Sequence, residues 1–224
     1  MTGRKTNPRK GATVLTGPPH RENYRHGDLR HALIAAGIDL ARGGGPEAIV
    51  LREATRRAGV VPNAAYRHFA GREALLQAVR SAALGALANA IEAEFAKLRK
   101  SKNPASYAKA SLRAVGTAYL NFAQAETGLF RTAFAVCDDN RTEADLAGSE
   151  RSGLNPFQLL GLALDRLVEA GVLPLERRPG AEYLAWSAVH GLAMLVIDGP
   201  IRGHTRAQID AISQRLLDMV EQGL

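Results

Sequence analysis

The sequence predicts an all-α protein of about nine helices, and three observations carry that reading. Alanine, leucine and arginine, all good helix formers, are abundant in a chain of 224 residues that is 46% hydrophobic. The alternating runs of Val, Ile, Thr and Tyr expected of strands are missing. Apolar residues recur instead at spacings of three and four, between stretches rich in Gly, Pro and Asn. A chain of this length can bury a sizeable core, as one domain or as two small ones.

The first stretch, MTGRKTNPRKGATVLTGPPHRENYRH, mixes Gly, Pro, Asn and basic residues without apolar periodicity, so residues 1–23 read as a flexible basic arm. Asp28 is placed to cap a first helix whose Leu29, Leu33, Ala36 and Leu40 share one face. Gly43-Gly44-Gly45 and Pro46 end it. A second, short helix spans about Val50 to Ala58, with Gly59 suited to a left-handed residue just past its end. Pro62 opens a third helix, where its missing N–H costs nothing, and the helix extends to about Phe69. Val61, Ala65 and Phe69 form its inner stripe, leaving Asn63, Ala64, Arg67 and His68 outward. A fourth, longer helix starts near Arg72 and carries Leu75, Val79, Leu84, Leu87, Ile91, Phe95 and Leu98 before KSKNPAS breaks it. Further helices are expected near residues 105–124, 126–137, 155–171, 181–198 and 205–222, with 138–153, 171–180 and 199–204 as loops. There is no internal repeat.

The net charge of +7 is unevenly placed. Residues 1–80 hold 14 Lys and Arg against 6 Asp and Glu, whereas residues 81–224 hold 15 against 16. Positive charge gathered in the first third attracts phosphate and speeds encounter with nucleic acid. The single Cys137 excludes an internal disulfide and fits a reducing compartment. The basic start runs into GATVLTGPP and not into an apolar signal segment. The longest apolar runs, such as GLAMLVI at 191–197, fall short of the roughly 20 residues that cross a bilayer. A cytoplasmic protein with no membrane partner is expected.

The chemistry concentrates in AGVVPNAAYRHFAGREALL, residues 58–76. Two short helices joined by a tight glycine turn, the second with polar side chains at its leading end, are the layout of a helix-turn-helix. The major groove admits one helix, and only residues at its leading end and outer face reach base edges. Small Ala64 and Ala65 permit close approach of the backbone. Asn63 and Arg67 suit bases, adenine being the usual partner of Asn and guanine of Arg. Tyr66, His68 and Arg72 suit phosphates, which fix register without reading sequence. Pro62 offers an apolar contact, and Arg52 completes the set of expected DNA contacts. Phe69 is read as a core anchor.

These residues resemble the DNA-binding domain of the TetR family of bacterial transcriptional regulators over about residues 24–86. The likeness is carried by Leu29 and Ala36, by LREATRRAGV (51–60) and by AAYRHFAGREALL (64–76). It implies that the third helix enters the major groove, and that Tyr66, His68 and the start of the fourth helix near Arg72 meet phosphates. Three positions depart from the family pattern. Val61 stands where a Ser or Thr usually caps the third helix, Thr55 replaces a common alanine, and Arg72 replaces a frequent lysine. The lost cap costs about 1 kcal/mol, which Pro62 partly offsets by restricting the unfolded backbone.

Residues 87–224 are expected to form a ligand-binding and dimerisation domain. AWSAVHGLAML (185–195) contains Trp-x-x-x-His-Gly and follows YLNFAQAETGLFRTAF (119–134); both are similar to the WHG-type C-terminal domain of one TetR subgroup, although that pattern usually has a proline near Gly128. The stretch from Tyr183 to Ile197 is apolar on nearly every face and is expected to be enclosed on all sides. Ile209, Ile212, Leu216 and Met219 form a narrower stripe of the kind that pairs helices, so the last two helices are expected to build a four-helix bundle with a second copy. Tyr119, Phe122, Phe130, Phe134, Trp186, His190 and Met194 supply the apolar walls and few polar handles of a small-molecule site.

No phosphate loop, nucleophile elbow or paired metal ligands occur, and Cys137 adjoins Asp138 and Asp139, whose charge disfavours a thiolate. The expectation is therefore not an enzyme, with no metal and no cofactor beyond an unidentified effector. It is a homodimeric, ligand-responsive repressor that reads double-stranded DNA at a pseudo-palindromic operator and takes a small apolar or amphipathic ligand. The rival reading is an architectural or constitutive DNA-binding protein without an effector.

Overall fold

A computed structural model describes residues 26–99, 101–135, 148–149 and 151–224, with side chains from Leu29 onward. The expected basic arm, Cys137 and most of the loop at 138–153 lie outside the described residues. Nine helices and no strands occur among the described residues: α1 His26–Gly44, α2 Leu51–Arg57, α3 Pro62–Ala65, α4 Arg72–Lys97, α5 Pro104–Ala125, α6 Thr127–Ala133, α7 Pro156–Glu169, α8 Ala181–Ile197 and α9 Arg206–Gly223.

The boundaries follow local chemistry. Asn103 and Asn155 each precede a proline, and each turns its side-chain oxygen onto backbone N–H groups of the helix it opens. Thr205 and Gln208 cap α9 reciprocally. Gly59 takes φ +68 just after α2, as the left-handed turn into α3 requires.

Three expectations in the first third are corrected. α1 begins at His26, so Asp28 lies inside it and not at its cap. α3 is a single turn, Pro62–Ala65, and Tyr66 to His68 continue as tighter turns. Val61 does not join the inner stripe: it is the extended residue before Pro62, where a residue preceding proline is driven out of helical geometry, and it is 67% exposed. Ala65 and Phe69 are buried as expected, together with Leu29, Leu33, Ala36 and Leu40 of α1.

α4 is the axis of the molecule. It packs against α1 and α6 on one side and α5 and α7 on the other. Its length and composition alone would suit a bilayer, yet Leu75, Val79, Leu84, Leu87 and Ile91 instead form the centre of the core. The first helices are tied to the rest by α6. Gly128 sits so close to the end of α1 that a β-carbon there would fall 2.0 Å from the Ala41 carbonyl oxygen. Glu126 pairs with Arg42 at 3.0 Å, and Arg80 of α4 donates to the Ala133 carbonyl at 3.1 Å. Arg131 pairs with Asp198 at the end of α8.

α8 corrects another expectation. Ala181, Ala185, Val189, Leu192 and Ala193 are buried, but Tyr183, Leu184, Met194 and Leu195 face outward, because α5, α7 and α9 cover one side of the helix only. The α9 stripe divides likewise. Ile209 is buried against its own subunit, Ile212 and Leu216 are half-buried, and Met219 is exposed; Ser213 and Leu217 complete the inner face.

Candidate functional site

The head of the molecule is built by α1 to α3 and the start of α4. Ala65 is fully buried and holds the single turn of α3 against α1 and α2. Phe69 anchors the exit, with the Arg30 guanidinium 5.5 Å from its ring centre. Thr55, the unusual residue of α2, is buried and donates its hydroxyl to the Arg52 carbonyl at 2.7 Å, so the polar side chain is accommodated without a tertiary partner. Val61 provides no side-chain cap, as its chemistry dictates.

On this frame Pro62, Asn63, Tyr66 and Arg67 are exposed, Ala64 and His68 are half-buried, and Arg52 is exposed on α2. Tyr66 is 59% exposed although aromatic. Beside them Glu53 accepts from Arg56 at 2.8 and 2.7 Å and from Arg57 at 3.3 Å, and these bonds, Arg56 first, hold its carboxyl group down to about 2. Two guanidiniums thus share one carboxylate, and the head keeps its positive excess.

Arg72, expected at a phosphate, is 43% exposed and bonded within the head. It donates to the Ile49 carbonyl from Nε and to the Pro46 carbonyl from Nη2, both at 2.9 Å, and lies 3.5 Å from Glu47. These bonds fasten the start of α4 to the turn before α2. Val61, expected on the inner stripe, is instead exposed beside Pro62 on the surface of the head. Its place before a proline at the first helical position was the available signal.

The second feature is an apolar cavity of about 60 Å³ between α4, α5, α7, α8 and α9. Of the seven residues expected at a ligand site, Tyr119, Phe134 and Trp186 line it. Phe130 and His190 stand behind that wall: Phe130 packs on Tyr119 and Phe134 with ring centres 5.4 and 4.9 Å apart. Phe122 is buried away from the cavity, and Met194, partly exposed on α8, does not line it. Phe157 and Arg113 line it without having been expected. Phe157 follows the Asn-Pro start of α7, a legible position; the inward side of Arg113 depends on its partners in α9.

The polar groups here are mutually satisfied. The Trp186 indole N–H donates to the Tyr119 oxygen at 3.0 Å, and that oxygen lies 2.7 Å from His190 Nδ1. All three are satisfied when Tyr119 donates to Nδ1 and the ring proton of His190 sits on Nε2. Burial pushes the Tyr119 phenol well above its usual range, the indole bond acting in the opposite sense, and burial pushes His190 down, so both are neutral. No group of three or more His, Cys, Asp or Glu side chains is arranged for a metal among the described residues.

A helix-turn-helix head joined to a helical body defines a class, the bacterial DNA-binding regulators with a separate C-terminal domain. Two family models match in tandem. Bacterial regulatory proteins of the tetR family match residues 33–79, and the tetracyclin repressor-like C-terminal domain matches residues 112–220. The chain belongs to the TetR family of DNA-binding transcriptional regulators, whose domains are those of a non-enzymatic regulator.

Solved structures share the fold. A protein of unknown function from Rhodococcus sp. RHA1 is 24% identical, with TM-score 0.69, over 91% of this chain and 99% of that one. The regulator FadR from Bacillus subtilis, solved with stearoyl-CoA, is 14% identical, with TM-score 0.61, over 87% and 98%. A TetR variant from Acinetobacter baumannii AYE, solved with minocycline, is 20% identical, with TM-score 0.55, over 86% and 94%. Curated protein sequences gave no match.

Proposed function

We propose that the protein is a ligand-responsive, homodimeric repressor whose residues 24–86 bind a pseudo-palindromic operator and whose residues 87–224 bind an effector and a second copy. The observation that carries this is the course of α4. One unbroken helix of 26 residues, about 39 Å long, begins at the head with Arg72 and reaches the cavity with Leu84 and Ile91. A shift of this helix would carry a change at the cavity to the head.

In this reading Asn63 and Arg67 meet bases, Tyr66 and His68 meet phosphates, and Pro62, Ala64 and Arg52 sit at the same surface. Arg72 holds the head together. The exposed face of α8, with Leu184 and Leu195, and the outer edge of α9, with Leu216 and Met219, meet their copies across a two-fold axis. Two heads then fall about one helical turn, roughly 34 Å, apart on one face of the duplex. The cavity is small against the roughly 300 Å³ or more of an occupied ligand site. An effector must part its walls, so it binds the open state more tightly, and that difference is what a switch requires. The neighbours solved with stearoyl-CoA and minocycline support a sensory role for this domain. The protein works in the cytoplasm, where its DNA is.

The test is operator binding by the Arg67→Ala variant against a set of single-base-pair changes. A loss of about 1–3 kcal/mol concentrated at one base pair is expected. An equal loss on every sequence moves Arg67 to phosphate. Indiscriminate binding by the unaltered protein favours the architectural reading.

A further inference from the structure

We propose that the effector is an uncharged, apolar aromatic molecule, and that the cavity rejects anions. This rests on the cavity being the effector site. The inference comes from the hydrogen-bond closure of its wall. Among the described residues, three side chains on that wall carry polar groups, and each is already engaged within the protein. Trp186 donates to Tyr119, whose hydroxyl is in turn paired with His190. Arg113 is the one charged residue on the wall. Its guanidinium is turned to α9, donating to Gln214 at 2.9 Å and to Asp218, with Glu221 ion-paired at 2.7 Å without the alignment of a hydrogen bond.

Two carboxylates therefore already neutralise the one cation that the described wall presents to an acidic ligand. An anion entering would lose its hydration and gain no donor, and such unpaired burial is among the costliest events in a binding site. What the wall does offer is π surface. Trp186 stands between Phe134 and Phe157, both with ring centres 5.9 Å away, at tilted and edge-on angles that leave faces and edges for a further ring. Selection thus works by exclusion: the polar atoms are present but spoken for.

Trp186 is the only tryptophan of the chain, so its emission reports on this wall alone. The full-length protein is titrated with toluene, and with benzoate as the same ring bearing a charge, exciting at the red edge of the indole band. Toluene is expected to shift or quench the emission saturably, with benzoate at least about 100-fold weaker. Tyr119→Phe removes the acceptor of the indole N–H. In that variant the affinity of benzyl alcohol relative to toluene is expected to rise about tenfold. Benzoate binding as well as or better than toluene overturns the proposal, because Arg113 has then released α9. No response to either compound overturns it as well. The wild-type comparison stands whether or not Tyr119→Phe folds. Operator binding measured on the same samples separates the two readings. Protein that holds DNA but ignores toluene loses only the ligand class, and protein that holds no DNA loses the repressor reading whatever toluene does.

Discussion

Replacing Gly128 with alanine tests how the head is joined to the body. The added β-carbon would lie 2.0 Å from the Ala41 carbonyl oxygen and 2.8 Å from that of Arg42, both backbone atoms at the end of α1 that cannot swing aside like a side-chain tip. Overpacking in a close-packed interior costs about 1–3 kcal/mol, and two backbone contacts place this site at the upper end, about 3 kcal/mol. Alanine's better helix propensity works in the opposite direction by at most about 1 kcal/mol, less at the first turn of a short helix. The clash wins by about 2 kcal/mol, which for a chain of this size lowers Tm by about 4–8 °C. Thermal unfolding followed by circular dichroism measures it. An unchanged or raised Tm would refute the close seam between α1 and α6.

Other outcomes follow from individual contacts. Arg72→Ala removes the two bonds to the Ile49 and Pro46 carbonyls and should cost about 1–2 kcal/mol in urea unfolding; unchanged stability with a salt slope of DNA binding reduced by about one would return Arg72 to a phosphate. His190 has its pKa lowered by burial from 6.5, so the unfolded chain takes up the proton first. Its contribution is complete above pH 6.5 and is lost as the pH falls below it, and His190→Gln should show a shallower fall in Tm between pH 7 and 5.5; parallel profiles would contradict this. Leu184→Glu and Met219→Glu place charge on the exposed α8 and α9 surface and should yield monomers in sedimentation equilibrium, with helix content retained. A dimer surviving both changes would move the interface elsewhere.

Where local chemistry decides, the fold was legible in the sequence. The face of Leu29, Leu33, Ala36 and Leu40, the Gly59 turn and the two Asn-Pro helix starts are each set by neighbours a few residues away. The head was legible too, because its side chains lie on one short stretch. The cavity was only partly so. Tyr119, Phe134 and Trp186 were found by their aromatic character, but the same character describes Phe122 and Phe130, which are ordinary core. Nothing local separates the two groups. Met194 shows the limit most plainly: it lies one turn beyond His190 on the same face of α8, yet it is 38% exposed and does not line the cavity, because an apolar helix does not announce how far its own subunit covers it. Arg113 looks like a surface charge in sequence and Arg72 like a phosphate contact alone; their partners are carbonyls and carboxylates brought in by distant elements.

The most direct measurement is hydroxyl-radical footprinting on genomic fragments retained by the full-length protein at low ionic strength. The account predicts two protected half-sites related by inversion, on one face of the duplex and about one helical turn apart, with two chains bound per site. Uniform protection along the DNA, a single protected half-site, or failure to retain any fragment would contradict it.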